Sequence, residues 1–283
     1  MNIEWYPGHM TDAMRRIDKD IQLVDLIIEI LDARIPESSQ NPVLHNKFSN
    51  KKKIIVMNKS DLADPAVTKA WTDKYFNQNI SVIEMDSRRT KDTGKVKKAA
   101  LDVLKEKRER DKARGIAERP VKAMVVGIPN VGKSTFINSF VGKASAKTGD
   151  KPGVTRGNQW IRISKDINLL DTPGVLWPKF EDQNTGIRLA ITGSIADHVF
   201  DEIEISIKYL DYIKKYYYNL FDARYQLNDI SDMSGYEILQ EVACKKNLLI
   251  KGGEPDLSRA AHMLLQDFRS GRMGRITLER PNM

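Results

Sequence analysis

The nine residues GIPNVGKST, Gly127 to Thr135, constrain the fold of this chain more than any other stretch. They match GxxxxGK[ST], follow the apolar run Val121 to Val126 and precede a helix-compatible run starting at Lys133, so they read as the turn between a buried strand and a helix. Gly127 and Gly132 let the backbone curl until consecutive N–H groups point at phosphate oxygens, with the amino end of the helix behind them. In this reading Pro129, Asn130, Val131, Gly132 and Thr135 line the phosphates, Lys133 neutralises the β and γ phosphates, and Ser134 offers its hydroxyl to Mg²⁺.

Two further motifs specify the ligand. NKSD, Asn58 to Asp61, ends the apolar run Lys51 to Met57. The Asp61 carboxylate can accept from the ring N–H and exocyclic amine of guanine, whereas adenine would leave it buried and unpaired. Asn58 can contact the imidazole edge of the base, and the Lys59 stem can cover its face. DTPG, Asp171 to Gly174, ends another strand. Asp171 can hold Mg²⁺ through a water, and the Gly174 N–H can meet the γ phosphate. Thr155, in the loop KPGVTRG, is the candidate second switch threonine for Mg²⁺. Ser87 and Arg88, after the strand ending at Met85, stand where a loop could touch the guanine oxygen, although they depart from the usual Ser-Ala-Lys pattern.

The remaining pattern places these motifs on an α/β sheet. Strands are predicted at Val24 to Leu31, Lys51 to Met57, Ile80 to Met85 and Val121 to Val126, with a hairpin of Gln159 to Ile163 and Ile167 to Leu170. Helices read at a Thr11-capped segment carrying Met14, Ile17 and Ile21, at Val67 to Phe76, at Thr93 to Arg114 and from Lys133. This predicts a mostly parallel sheet covered on both faces, with one antiparallel strand. Beyond Trp177 the spacing becomes helical at Asn184 to Ala196, Glu202 to Phe221, Gly235 to Lys246 and Leu257 to Phe268, the last capped by Asp256. At 283 residues the chain accommodates both parts, residues 1–180 as an α/β domain and 181–283 as a small all-α domain. The longest apolar run, Val24 to Leu31, is broken by Asp25 and Glu29, so no membrane span is expected. The start MNIEWYPGHM lacks a secretory pattern and Cys244 has no disulfide partner, which points to a reducing cytoplasm.

The formal charge of +8 favours polyanionic partners or reflects a solvated, lysine-rich surface. Two features share that ambiguity. Tyr209, Tyr212 and Tyr216, at helical spacing beside Lys214 and Lys215, form either a stacking platform for bases or part of the core. Arg269, Arg272 and Arg275, interspersed with Gly271 and Gly274, form either a flexible basic arm for RNA phosphates or a solvated tail.

Ordinary GTPases place the phosphate loop first and the base-reading motif last, whereas here NKSD comes first and DTPG comes last. The parts are complete in circularly permuted order. With the amino-terminal WYPGHM, Trp5 to Met10, and a helical carboxyl-terminal region, the whole chain resembles the ribosome biogenesis GTPase A family of circularly permuted GTPases. The resemblance implies a P-loop GTPase stimulated by the ribosomal subunit. Its implied partner is a late precursor of the large ribosomal subunit, both rRNA and ribosomal proteins, from which it departs after hydrolysis as a monomer. Val175 occupies the position where many GTPases carry a water-orienting glutamine. The resemblance assigns that role to His9, a residue suited to hydrogen-bond a water. It further implies that Asn130 helps bind K⁺ beside the phosphates. Two other readings stay open: a nucleotide-gated RNA-binding scaffold that docks without needing hydrolysis, and a GTPase acting on tRNA or other RNA.

Overall fold

The computed structural model describes residues 8–141, 159–227 and 229–281. Six strands form one sheet: β1 (Leu26–Asp32), β2 (Lys52–Asn58), β3 (Ser81–Met85), β4 (Val121–Val126), β5 (Gln159–Arg162) and β6 (Ile167–Asp171), in the order β3-β2-β1-β4-β6-β5. All neighbours pair parallel except β5, which runs antiparallel to β6, as the hairpin pattern predicts. Because β1, β2, β3, β4 and β6 are parallel, the residues following them gather along one edge of the sheet. All three motifs emerge there, and β1 and β4 adjoin where the chain order reverses, the usual ligand crevice of such sheets.

Helices cover both faces. In β2, Ile54 and Val56 pack with Val96 and Ala100 of α4 (Thr93–Val103), while Ile55 and Met57 pack with Val67, Trp71 and Tyr75 of α3 (Pro65–Asn77). Alternate residues of a strand point to opposite faces, so one apolar run serves two layers. Asp64 starts α3 by accepting from Ala66 N and Val67 N, with Pro65 in the first turn. The other elements of this part are α1 (Gly8–Asp20), α2 (Pro42–Lys47), α5 (Lys105–Ala113) and α6 (Lys133–Val141).

The carboxyl-terminal part holds α7 (Gln183–Ile191), α8 (Glu202–Tyr216), α9 (Tyr218–Tyr225), α10 (Gly235–Lys245) and α11 (Leu257–Arg269). Asp256 caps α11 as predicted. One apolar cluster runs from the sheet through Val175, Leu176, Trp177 and Phe180 into Leu189, Ile205 and Tyr209, so the residues after DTPG are core for both parts. Among the described residues no helix is long and apolar enough to cross a membrane.

Several boundaries differ from the periodicity. The first helix starts at Gly8, ahead of Thr11. The long charged helix breaks at Leu104, which stays buried while α5, with no buried residue, runs out into solvent. The segment Glu202 to Phe221 breaks at Tyr217, whose hydroxyl bonds Asp64 Oδ2 and Thr277 O. Helix α7 stops at Ile191, before Ala196. The tyrosine stripe grades outward: Tyr209 is buried, Tyr212 donates to Thr277 O, and Tyr216 is exposed with Arg280 stacked on its ring.

Arg269, which ends α11, and Arg272 and Arg275 beyond it form neither a flexible arm nor a solvated tail. Arg269 pairs with Asp197 and donates to Ala190 O and Ile191 O in the last turn of α7. Arg272 pairs with buried Asp267, and Arg275 donates to Ser60 O and Ala63 O.

Candidate functional site

Asn58, at the end of β2, is the joint of the site. It is buried; its Nδ2 donates to Val131 O at 2.8 Å and its Oδ1 accepts from Ser87 N at 3.0 Å. One amide thus ties NKSD to the phosphate loop and to the loop after β3. Gly132 lies so close to this amide that a Cβ would overlap Asn58 Nδ2, and its φ of +98° also favours glycine.

Lys59 donates to Asn130 O at 2.7 Å and pairs with Asp32 Oδ2 at 3.0 Å. Asp32 in turn accepts two side-chain bonds from buried Arg34, at 2.9 and 2.8 Å. Burial alone would raise the Asp32 carboxyl, but Arg34 and Lys59 outweigh it and hold it well below the usual carboxylate range. Burial lowers the Lys59 ammonium, with Asp32 opposing. Asp32 and Arg34 belong to none of the three motifs, and sequence reasoning did not find them. Their one sequence signal is a pair of charges directly after the apolar run of β1, at the edge where ligands bind.

Asp61 faces the rim, its Oδ2 paired with Arg88, which also forks onto Asp86. The Asp61 Oδ1 and the Ser87 hydroxyl are buried, with no partner among the described residues. Burial pushes Asp86 up, but the Arg88 hydrogen bonds win and lower it. A cavity of about 340 Å³ opens beside Asp61, lined also by Ser60, Asp86 and Arg275.

At the phosphate end, Lys133 is buried and folds onto Gly127 O at 3.1 Å and Ile128 O at 2.8 Å. Burial lowers its ammonium to about 8, and the Asp171 charge works the other way. Burial likewise raises Asp171 to about 6, opposed by Lys133 and by a backbone bond from Thr172. Asp171 Oδ1 is buried with no partner among the described residues. A cationic ammonium and an orphaned carboxylate oxygen, both dehydrated, are complementary to an anion carrying a hard cation. Ser134 and Thr135 lie in the first turn of α6, beside these groups in the chain.

Gly174 touches the phosphate loop so tightly that a Cβ would meet Pro129 Cα and N at 2.7 Å and Lys133 Nζ at 2.9 Å. Val175 N bonds Gly127 O, and Val175 O accepts from buried Asn41, a third residue that sequence reasoning missed. Asn130 adopts φ +57° and donates through Nδ2 to Gly193 O at 2.7 Å, joining the phosphate loop to the turn after α7. Thr155 and the side chain of His9 lie outside the described residues; the His9 backbone falls within α1.

Residues 122–233 match the family model of the 50S ribosome-binding GTPase. The chain is 39% identical over 281 residues to ribosome biogenesis GTPase A of Bacillus pumilus, covering 99% of each chain. It is 31% identical over 283 residues to the Thermotoga maritima protein of the same name, covering 99% of this chain and 95% of that one. The GNP-bound crystal structure of YlqF from T. maritima superposes with a TM-score of 0.65 at 27% identity, covering 96% of this chain and 99% of that one.

Proposed function

The chain belongs to the ribosome biogenesis GTPase A family, and from that membership we propose that it binds a late precursor of the large ribosomal subunit, promotes its maturation and leaves when GTP is hydrolysed. It binds guanine nucleotide and is a GTPase. The observation that carries the site reading is the Asn58 amide, which bonds Val131 O and Ser87 N and so brings three separated stretches to one edge.

In this reading residues 1–180 hold the nucleotide and residues 181–283 meet rRNA and ribosomal proteins. Asp61 reads the guanine N–H and amine after Arg88 yields its place on the carboxylate. Lys59 lies along the base, fixed by Asp32 and Arg34, and Asn58 holds the loops at the spacing the base requires. Pro129 to Thr135 wrap the phosphates, and Lys133 leaves Gly127 O and Ile128 O for phosphate oxygens. Ser134, Asp171 and Thr155 would hold Mg²⁺, whose Lewis acidity offsets charge on the β and γ phosphates. The orphaned Asp171 Oδ1 fits that assignment. Asn130 would offer its amide oxygen to K⁺ while its nitrogen stays on Gly193 O. Val175 is buried and apolar and cannot orient the attacking water; the family resemblance gives that role to His9, and Gly174 reports the γ phosphate.

The residues after Gly174 run directly into the shared core, so loss of the γ phosphate shifts the helical part relative to the sheet. The protein works in the cytoplasm, as a monomer away from the ribosome. The test is a His9→Ala chain expressed in cells: it should bind GTP normally, hydrolyse it slowly and accumulate on large-subunit precursors. Accumulation on tRNA would favour action on another RNA, and normal maturation with hydrolysis blocked would favour the docking scaffold.

A further inference from the structure

After α11 the chain turns at Gly271 and Gly274 and comes back across the sheet edge to the base-reading loop. Four hydrogen bonds join the two. Arg275 donates from Nη2 to Ser60 O and from Nε to Ala63 O, both at 2.9 Å. Ile276 N donates to Leu62 O at 3.0 Å, and Asp64 N donates to Thr277 Oγ1 at 3.0 Å. Just beyond, Leu278 N bonds Arg34 O at 2.8 Å, and Trp71 Nε1 bonds Glu279 O at 3.1 Å. The Glu279 carboxylate, buried, accepts from Glu37 N and Ser38 N at 2.7 and 2.9 Å. The returning segment is therefore fastened along its length, and its contacts fall on both sides of Asp61.

We propose that this segment is a clamp that sets the base-reading loop in the shape that presents Asp61 to guanine, with Arg275 as a positioning residue for base selectivity. The proposal rests on NKSD being the guanine reader. A carboxylate that must accept two donors at once is sensitive to its angle as well as its distance. Loop carbonyls left to solvent would let that angle wander, because fixing a backbone costs entropy that only such partners offset. Arg275 acts on Asp61 through the carbonyls of Ser60 and Ala63. The clamp is anchored in turn on the helical part, since Tyr212 and Tyr217 both donate to Thr277 O, at 3.0 and 3.1 Å. A displacement of α8 and α9 therefore reaches the guanine end of the site without passing through the phosphates.

Inosine triphosphate separates selectivity from general stability, because its base keeps the ring N–H and lacks the exocyclic amine. Calorimetry on the full chain compares GTP with ITP for wild type, Arg275→Ala, Arg275→Lys and Thr277→Val, alongside nucleotide-free thermal unfolding. Arg275→Ala should weaken GTP roughly three- to tenfold and ITP less, so that the preference for GTP narrows. Thr277→Val should narrow it in the same direction, and Arg275→Lys, which keeps the charge but offers a single nitrogen in place of the fork, should recover part of it. Arg275→Ala also removes two hydrogen bonds of an exposed side chain, so its unfolding temperature should fall slightly, and a narrowed GTP-to-ITP ratio is the readout that a general loss of stability does not give. A wild type that prefers GTP, with Arg275→Ala and Thr277→Val variants whose GTP-to-ITP ratio is unchanged, would overturn the clamp alone. A wild type with no preference for GTP over either ITP or ATP would remove the guanine reading and the clamp with it.

Discussion

Asn58→Asp isolates the bracing role of the NKSD asparagine. The substitution keeps shape and volume. Its near oxygen can still accept from Ser87 N, but the atom facing Val131 O at 2.8 Å changes from a donor to an anionic oxygen. A buried acceptor loses its partner, a cost of about 1–3 kcal/mol, and a carboxylate is placed against a carbonyl in a dehydrated joint, bringing the total to about 3 kcal/mol. Asn58→Ala removes both bonds without the repulsion and should cost about 2 kcal/mol. For a chain of this size, 3 kcal/mol lowers the melting temperature by roughly 6–12 °C. Denaturant unfolding of the nucleotide-free protein is the appropriate assay, because no base is present for Asn58 to contact. An Asn58→Asp protein that unfolds at the wild-type midpoint would refute the brace and leave Asn58 as a base contact only.

Other expectations are equally direct. Gly174→Ala places a methyl against the Pro129 backbone, which cannot rotate away, so it should destabilise the protein by about 1–3 kcal/mol and weaken GTP more than GDP, as read by nucleotide titration. In the nucleotide-free protein Asp171 titrates near 6, so Mg²⁺-dependent GTP affinity should fall as pH drops from 7 to 5, with proton release on binding visible in calorimetry across buffers. The same raised value means that the folded state binds the extra proton between the unfolded value of 3.8 and about 6. Its contribution to nucleotide-free stability is therefore present at low pH and lost as pH rises through 6, a trend that Asp171→Asn should flatten. Replacing K⁺ by Na⁺ should slow hydrolysis in the wild type and have little effect in Asn130→Ala, measured by phosphate release.

The sheet was legible largely because β2, β4 and β6 each end in a motif whose chemistry requires a strand before it. Val121 to Val126 ahead of the phosphate loop and Lys51 to Met57 ahead of NKSD are local signals, and the structure shifts them by a residue or two at most. The pairing of Asp32 with Arg34 was harder to see, since two charges after an apolar run read equally well as a solvated turn. The clamp was illegible for a different reason. Arg275 and Ser60 are 215 residues apart, and the groups Arg275 bonds are backbone carbonyls, which carry no residue signature. Periodicity therefore registers only glycines and arginines there, the same composition that a loose basic tail would have. Tyr209, Tyr212 and Tyr216 show the same limit: helical spacing gives their common stripe but not how far it runs from core to surface.

The most direct test of the central claim is calorimetric titration of the purified chain with GTP and with ATP in Mg²⁺. If Asn58, Asp61, the phosphate loop and Asp171 form one guanosine triphosphate site, GTP binds and ATP is weaker by roughly a hundredfold or more, because adenine strands the Asp61 carboxylate. Equal affinity for the two, or no heat from either, would contradict it.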